Sequence, residues 1–95
     1  MSQNVISDRA KIGKGVKIGH FNIIEDDVSI ENDVEIGNYC HLRSGVIIKK
    51  RTKIMDYVEL RNNTIIGEDC YVDSKVSSSG NVVVHNNVIL RYDTI

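Results

Sequence analysis

The sequence predicts an all-β solenoid, wound from very short strands that turn a corner every six residues. Three observations predict it. Every sixth residue from Ile6 to Leu90 is aliphatic, a column broken only by Ser78. A second column, four residues behind the first, runs from Ala10 and Val16 through Cys40 and Val58 to Thr94 and is mostly small or β-branched. Asp, Asn and Gly gather between the columns: seventeen of the twenty-four in the chain stand two or three residues after a first-column position.

The first column is too regular to be accidental. Val, Ile and Leu make up under a third of the chain, so such a run would arise by chance on the order of once in a million sequences. Two inward positions separated by one outward residue describe a strand, because alternate strand side chains share a face. The 3.6-residue period of a helix is absent. The Asp, Asn and Gly positions, among them Asp26-Asp27, Asn32-Asp33, Asn62-Asn63 and Asn86-Asn87, suit tight corners.

Units this small bury their apolar face only by winding on one another, and three sides make a coil of eighteen residues. The charges support that length. With residues eighteen apart stacked about 4.8 Å from each other, Glu25 is expected beside Arg43, Glu31 beside Lys49, Asp33 beside Arg51 and Glu35 beside Lys53. The next coil sets Glu68 over Lys50 and Asp69 over Arg51. Each exposed pair of this kind adds about 0.2 to 1 kcal/mol.

The hexamers Ile12-Gly13-Lys14-Gly15-Val16-Lys17 and Ile18-Gly19-His20-Phe21-Asn22-Ile23 resemble the hexapeptide-repeat acyltransferase superfamily. The opening coils are similar to those of UDP-N-acetylglucosamine acyltransferase-like proteins. The resemblance runs over residues 6–95 without an insertion, after a lead-in of residues 1–5. It implies a left-handed parallel β-helix of triangular section; the repeat gives it about five 18-residue coils, and no capping helix is expected after them. The handedness comes from the resemblance and departs from the usual right-handed crossover.

Net charge is −1, with no signal peptide and no membrane-length apolar run, so a cytoplasmic location and no membrane partner are expected. Cys40 and Cys70 fall in different inward columns two coils apart, too far for a disulfide, and read as reduced core residues. Neither CxxC nor ligand-spaced histidines occur, so no metal is expected. The carbonic anhydrase branch of the fold needs three suitably placed histidines, a pattern that His20, His41 and His85 lack. The basic run Lys49-Lys50-Arg51-Thr52-Lys53 lies between acidic coils and has no interleaved aromatics, which argues against a nucleic-acid partner.

Outward apolar residues need a cover. The column Lys11, Ser29, Ile47, Ile65, Val83 turns apolar toward its end, and Tyr71 and Ile89 repeat the trend on the next side. The resemblance implies a homotrimer through these residues, Ile47, Ile65, Val83, Tyr71 and Ile89. It also implies a coenzyme A thioester as co-substrate, with a histidine as general base toward a sugar amine or hydroxyl. His85, beside the apolar column, and His20, in the frequent family form aliphatic-x-His-x-small, are the catalytic candidates. Arg61 and Arg91 are the candidates for holding a substrate phosphate. His41 stands on a polar face with Arg43, Glu59, Arg61 and Ser77 and reads as part of a solvated surface.

Ser78, with Ser77, Ser79 and Gly80 around it, puts a hydroxyl where the core column needs an aliphatic. The expected outcome is a backbone-bonded serine in a loosened coil, and inward Asn22 is likewise expected to bond corner backbone. The sequence stops at Ile95 inside the repeat, without the protruding loop, glycine-rich later coils or C-terminal helix common in the family. Two functions are therefore weighed: an acyltransferase, or the N-terminal portion of one, acting on a sugar or sugar nucleotide from acyl-CoA or acyl carrier protein; and a non-catalytic β-helix used for trimerisation or scaffolding.

Overall fold

A computed structural model describes residues 3–92 and 95; Thr94, at the end of the second column, and the first two residues of the lead-in lie outside them. The first coil holds β1 (Val5–Ile6), β2 (Lys11–Ile12) and β3 (Lys17–Ile18). The second holds β4 (Ile23–Ile24), β5 (Ser29–Ile30) and β6 (Glu35–Ile36), and the third β7 (His41–Leu42), β8 (Ile47–Ile48) and β9 (Lys53–Ile54). The fourth holds β10 (Glu59–Leu60), β11 (Ile65–Ile66) and β12 (Tyr71–Val72), and the fifth β13 (Val83–Val84) and β14 (Ile89–Leu90).

Successive coils pair in parallel at a register of eighteen residues, as in Ile23↔His41, Ile30↔Ile48 and Glu35↔Lys53. The predicted coil length is therefore correct. Three parallel sheets result: sheet A is β1-β4-β7-β10, sheet B is β2-β5-β8-β11-β13 and sheet C is β3-β6-β9-β12-β14. No helix occurs among the described residues, and the solenoid measures 29 × 21 × 21 Å.

The inward column forms the core. Ile24, Ile30, Leu42, Ile48, Ile54, Leu60 and Ile66 are fully buried, with Val28, Val34, Val46 and Val58 filling the corners between them. Burying each such aliphatic contributes about 1.5 to 3 kcal/mol before the entropy of ordering is subtracted. In the first coil Ile6 and Ile12 are exposed, because only one neighbouring coil covers them.

Polar residues in the corner column follow one rule. Each donates its side chain to the carbonyl fifteen residues ahead, as Thr64 does to Ser79 at 3.0 Å, and Asn22 and Thr52 also accept the N–H eighteen ahead. Asn22 donates Nδ2 to the Gly37 carbonyl at 2.9 Å and accepts the Cys40 N–H at 2.8 Å. Thr52 does the same with the Gly67 carbonyl and the Cys70 N–H, at 2.6 and 3.0 Å. The thiols of Cys40 and Cys70, both free and buried, point at the carbonyls of Met55 and His85. No buried side-chain polar atom among the described residues lacks a partner.

Ser78 is buried, and its Oγ accepts the Arg61 N–H at 3.1 Å and meets Thr64 Oγ1 at 3.1 Å. The expectation of a bonded serine in a loosened coil is met: only the bridge Glu59↔Ser77 replaces a strand there. Ile95 continues the winding above it, its N–H donating to the Ser77 carbonyl.

The straight charge ladder is only partly realised. Arg51 grips Asp69 through Nε at 2.8 Å, as predicted, and also reaches Glu68, which was expected over Lys50. Glu25 and Arg43, expected to pair with each other, instead take partners sixteen residues ahead, His41 and Glu59. Glu31–Lys49, Asp33–Arg51 and Glu35–Lys53 form no ion pair among the described residues. Exposed lysines gain too little from such contacts to be fixed in place.

The corner-column rule yields a test against simple hydrophobicity. Val fits this column at Val58 and Val76, yet Asn22→Val strands the Gly37 carbonyl and the Cys40 N–H. A loss of roughly 2 kcal/mol or more in urea unfolding is expected, and a neutral or stabilising result would contradict the rule. Ile48→Ala in the dry core sets the comparison, at about 2 to 5 kcal/mol.

Candidate functional site

Sheet A carries the densest set of interacting polar side chains. Its outward column runs Val5, Ile23, His41, Glu59, and the residue after each strand's inward position gives Ser7, Glu25, Arg43, Arg61. Strand alternation aims all of these at solvent, and coil stacking sets each about 4.8 Å from the next. Half-buried His41 places Nε2 at 2.5 Å from Oε2 of half-buried Glu25, and Ser44 Oγ donates to Oε1 of the same carboxylate at 3.3 Å. Arg43 then holds Oε2 of Glu59 with Nε at 2.9 Å and Nη2 at 2.7 Å.

The two carboxylates titrate low. The hydrogen bond from His41 holds Glu25 below its ordinary value, assisted by the charge of His41, by Ser44 and by Arg43, against a desolvation that opposes the shift. The Arg43 hydrogen bond does the same for Glu59, again against desolvation, with help from the charges of Arg43, Arg61 and His41. A His whose Nε2 is bound to a carboxylate has a fixed ring orientation and its Nδ1 left for other chemistry. Glu25 also forms part of the wall of a shallow cavity of about 290 Å³ with Val5, Ile6, Ser7, Ile23 and Ser44.

The other candidates are placed apart. His20 is exposed at the corner between sheets C and A, where its N–H donates to Asn38 Oδ1 at 2.8 Å and its ring tilts against Phe21. His85 is exposed just past β13 on sheet B, two residues beyond Val83. Gly67, one coil below, makes room for it: a Cβ there would stand 2.7 Å from the His85 carbonyl carbon. Arg61 follows β10 on sheet A, while Arg91 follows β14 on sheet C, 3.7 Å from Asp73. The structure does not bring the two arginines together. Among the described residues, His41 is the histidine whose ring has a hydrogen-bonded partner.

Two features escaped the sequence reading. The Glu25–His41 contact is diagonal, sixteen residues apart, and straight stacking at eighteen hid it. Phe21, Tyr39 and Tyr57 stack as an exposed ladder up one corner, with ring centroids 5.2 and 5.0 Å apart. Their spacing of eighteen was a readable signal. Burial pushes the Cys40 thiol up to about 11, which leaves it unsuited to nucleophilic work. Among the described residues no group of three or more His, Cys, Asp or Glu is placed to hold a metal ion.

The class is a solenoid of hexapeptide coils with a His–carboxylate pair on one face. Residues 9–44 match the family described as bacterial transferase hexapeptide (six repeats). The fold is similar to that of a mutant perosamine N-acetyltransferase from Caulobacter crescentus, solved in complex with CoA and GDP-perosamine. The two share a TM-score of 0.71 and 19% identity over 93% of this chain and 50% of that one. A second mutant structure, described as GDP-perosamine N-acetyltransferase from Caulobacter crescentus with the same two ligands, aligns at a TM-score of 0.52 and 19% identity, covering 85% of this chain and 47% of that one. The chain thus spans about half the length of these structures. No curated protein sequence matches it. The shared fold is the left-handed parallel β-helix.

The depressed carboxylates give a pH prediction. A group whose folded pKa lies below its unfolded value stabilises the fold above the ordinary carboxylate range and loses that contribution as pH falls through the folded value. Stability should therefore fall as pH drops below about 4.5, and Glu25→Gln should flatten part of that acid limb in pH-dependent urea melts. An unchanged limb would show that the pair contributes nothing to folding.

Proposed function

We propose that this protein is an acyltransferase, or the β-helical part of one, that moves an acyl group from coenzyme A or acyl carrier protein to a sugar or sugar nucleotide. The observation that carries the reading is the half-buried His41–Glu25 pair, both members of which lie within the stretch matching the transferase repeat. A protein of the same fold binds CoA and GDP-perosamine, which supports the choice of donor and acceptor class. In such a transfer the base takes the proton from the acceptor amine or hydroxyl as that atom attacks the thioester carbonyl. The thiol of the donor then leaves.

Three imidazoles are assigned as alternatives for the base. His85 serves where a second subunit packs against sheet B and excludes water, and His20 where the acceptor lies at the corner between sheets C and A. His41 serves with Glu25 as its orienting carboxylate. Arg61, exposed beside this pair, and Arg91, at the corner beyond sheet C, are proposed to hold acceptor or donor phosphates. The apolar outward residues Ile47, Ile65 and Val83 of sheet B, with Tyr71 and Ile89 of sheet C, are proposed to close a homotrimer.

Acyl transfer to UDP- and GDP-linked amino sugars should be followed with acetyl-CoA and with acyl carrier protein thioesters. One of His85→Ala, His20→Ala and His41→Ala should lower kcat by about 10²- to 10⁴-fold with KM little changed. Transfer that survives all three substitutions would remove the histidine base. Absence of any thioester binding would leave the scaffold reading in its place.

Ile65→Asp tests the assembly, since a carboxylate at the centre of an apolar interface is left without a partner. Light scattering should report one chain's mass for this variant and three for the parent. An unchanged mass would remove sheet B from the interface.

A further inference from the structure

The ladder Phe21, Tyr39, Tyr57 climbs the corner between sheets C and A through three successive coils, and all three residues sit at positive φ, 60°, 59° and 57°. Bulky side chains rarely adopt that conformation. The rings become more parallel as the ladder rises, with interplanar angles of 14° and then 4°. The stack runs along the solenoid axis, so each ring's faces point at the coils above and below. The fourth position of the column is Lys75, again at positive φ, 68°. The upper face of Tyr57 therefore meets no fourth ring. Tyr57 is 56% exposed, the most open of the three rungs.

Lys75 is exposed and forms neither an ion pair nor a cation–π contact among the described residues. Among the described residues the carboxylates near it have partners of their own, and Asp93, eighteen residues ahead, lies outside them. Asp56 accepts the Asn38 N–H at 2.8 Å, and Asp73 faces Arg91 at 3.7 Å while accepting the Ser74 N–H. A flat aromatic face with an exposed ammonium one coil above it is a two-part recognition element. The face takes a planar ring at stacking distance, and the ammonium takes an anion attached to that ring.

We infer that the open face of Tyr57 and the ammonium of Lys75 form a binding site for a nucleobase carrying phosphate, the base adding a fourth rung to the ladder. Both an adenosine-containing thioester donor and a sugar nucleotide carry this chemistry. The site stands on the ladder's geometry alone. Binding without turnover would leave it in place while removing acyl transfer, and turnover without binding here would do the reverse.

The chain contains no tryptophan, so Tyr57→Trp puts a single fluorescent reporter at the site and keeps the stacking face. ADP, UDP, GDP and ribose 5-phosphate would be titrated against this variant, and against the parent by calorimetry. Saturable quenching by the nucleoside diphosphates and none by ribose 5-phosphate is expected. Tyr57→Ala should weaken nucleotide binding about tenfold or more, and Lys75→Ala should weaken it while flattening its salt dependence. A preference for ADP would assign the site to the thioester donor, and one for UDP or GDP to a sugar nucleotide. The inference is overturned by any of three results: no saturable binding of any nucleotide up to about 10 mM, equal binding of ribose 5-phosphate, or full binding by a folded Tyr57→Ala variant.

Discussion

The left-handed backbone conformation that recurs every sixth residue is the constraint on which the rest of this structure depends. From Gly15 to Asn87 each corner contains one residue with φ between 56° and 77°. Without that residue a strand of two residues would run on, and no face could close over a core. The conformation costs roughly 1 to 2 kcal/mol for an ordinary side chain, and only Gly15 and Gly45 escape it outright. Asp27, Asp33, Asn63, Asp69, Asn81 and Asn87 are of the residue types that enter this conformation most readily after glycine. What holds the remaining corners is the coil below. The N–H of each strained residue from Asp33 onward donates to a corner carbonyl nineteen residues back, as Tyr39 does to His20 and Lys75 to Asp56.

That dependence explains why the coils are not interchangeable. A corner with Asp or Asn starts from a lower conformational cost, whereas a corner with an aromatic needs a second source of stability. Phe21, Tyr39 and Tyr57 supply it to one another, since each stacked pair contributes about 0.5 to 1.5 kcal/mol beyond burial. The corner column inside obeys a similar economy. Where Asn22 or Thr52 replaces an aliphatic, apolar contact is lost and two backbone groups gain partners. Polar residues therefore sit in the core without leaving an unpaired atom among the described residues.

Most of the fold was legible in the sequence, because its rules are local and repeat. The column from Ile6 to Leu90 fixes which side chains face inward, and the corner residues fix the period. The eighteen-residue register follows from closing three sides, and the pairings Ile30↔Ile48 and Ile48↔Ile66 obey it. Even the exception at Ser78 could be anticipated, since an inward hydroxyl must be bonded. The side-chain pairing was less legible. Register places Cα atoms, and long side chains then choose among several neighbours within reach. Glu25 took His41 over Arg43, and Arg43 took Glu59, each choice sixteen residues apart where the register says eighteen. Two residues toward the N-terminus on the neighbouring strand is a diagonal step on the same face, well within reach of a glutamate or an arginine.

The same diagonal choice decides what sheet A can do chemically. Had Glu25 paired straight with Arg43, both charges would have been neutralised in a surface ion pair, and His41 would have stood alone between Ile23 and Glu59. With the diagonal pairing, Arg43 is committed to Glu59, and Glu25 is left to orient an imidazole. Ser44 fixes the carboxylate's other oxygen, so the pair is held from both ends on a rigid ladder of strands. Orientation of this kind is what an imidazole needs if it is to exchange a proton with a molecule lying on the sheet. An oriented imidazole thus emerges from the coil geometry, through a contact that neither the hexapeptide spacing nor the charge pattern specifies.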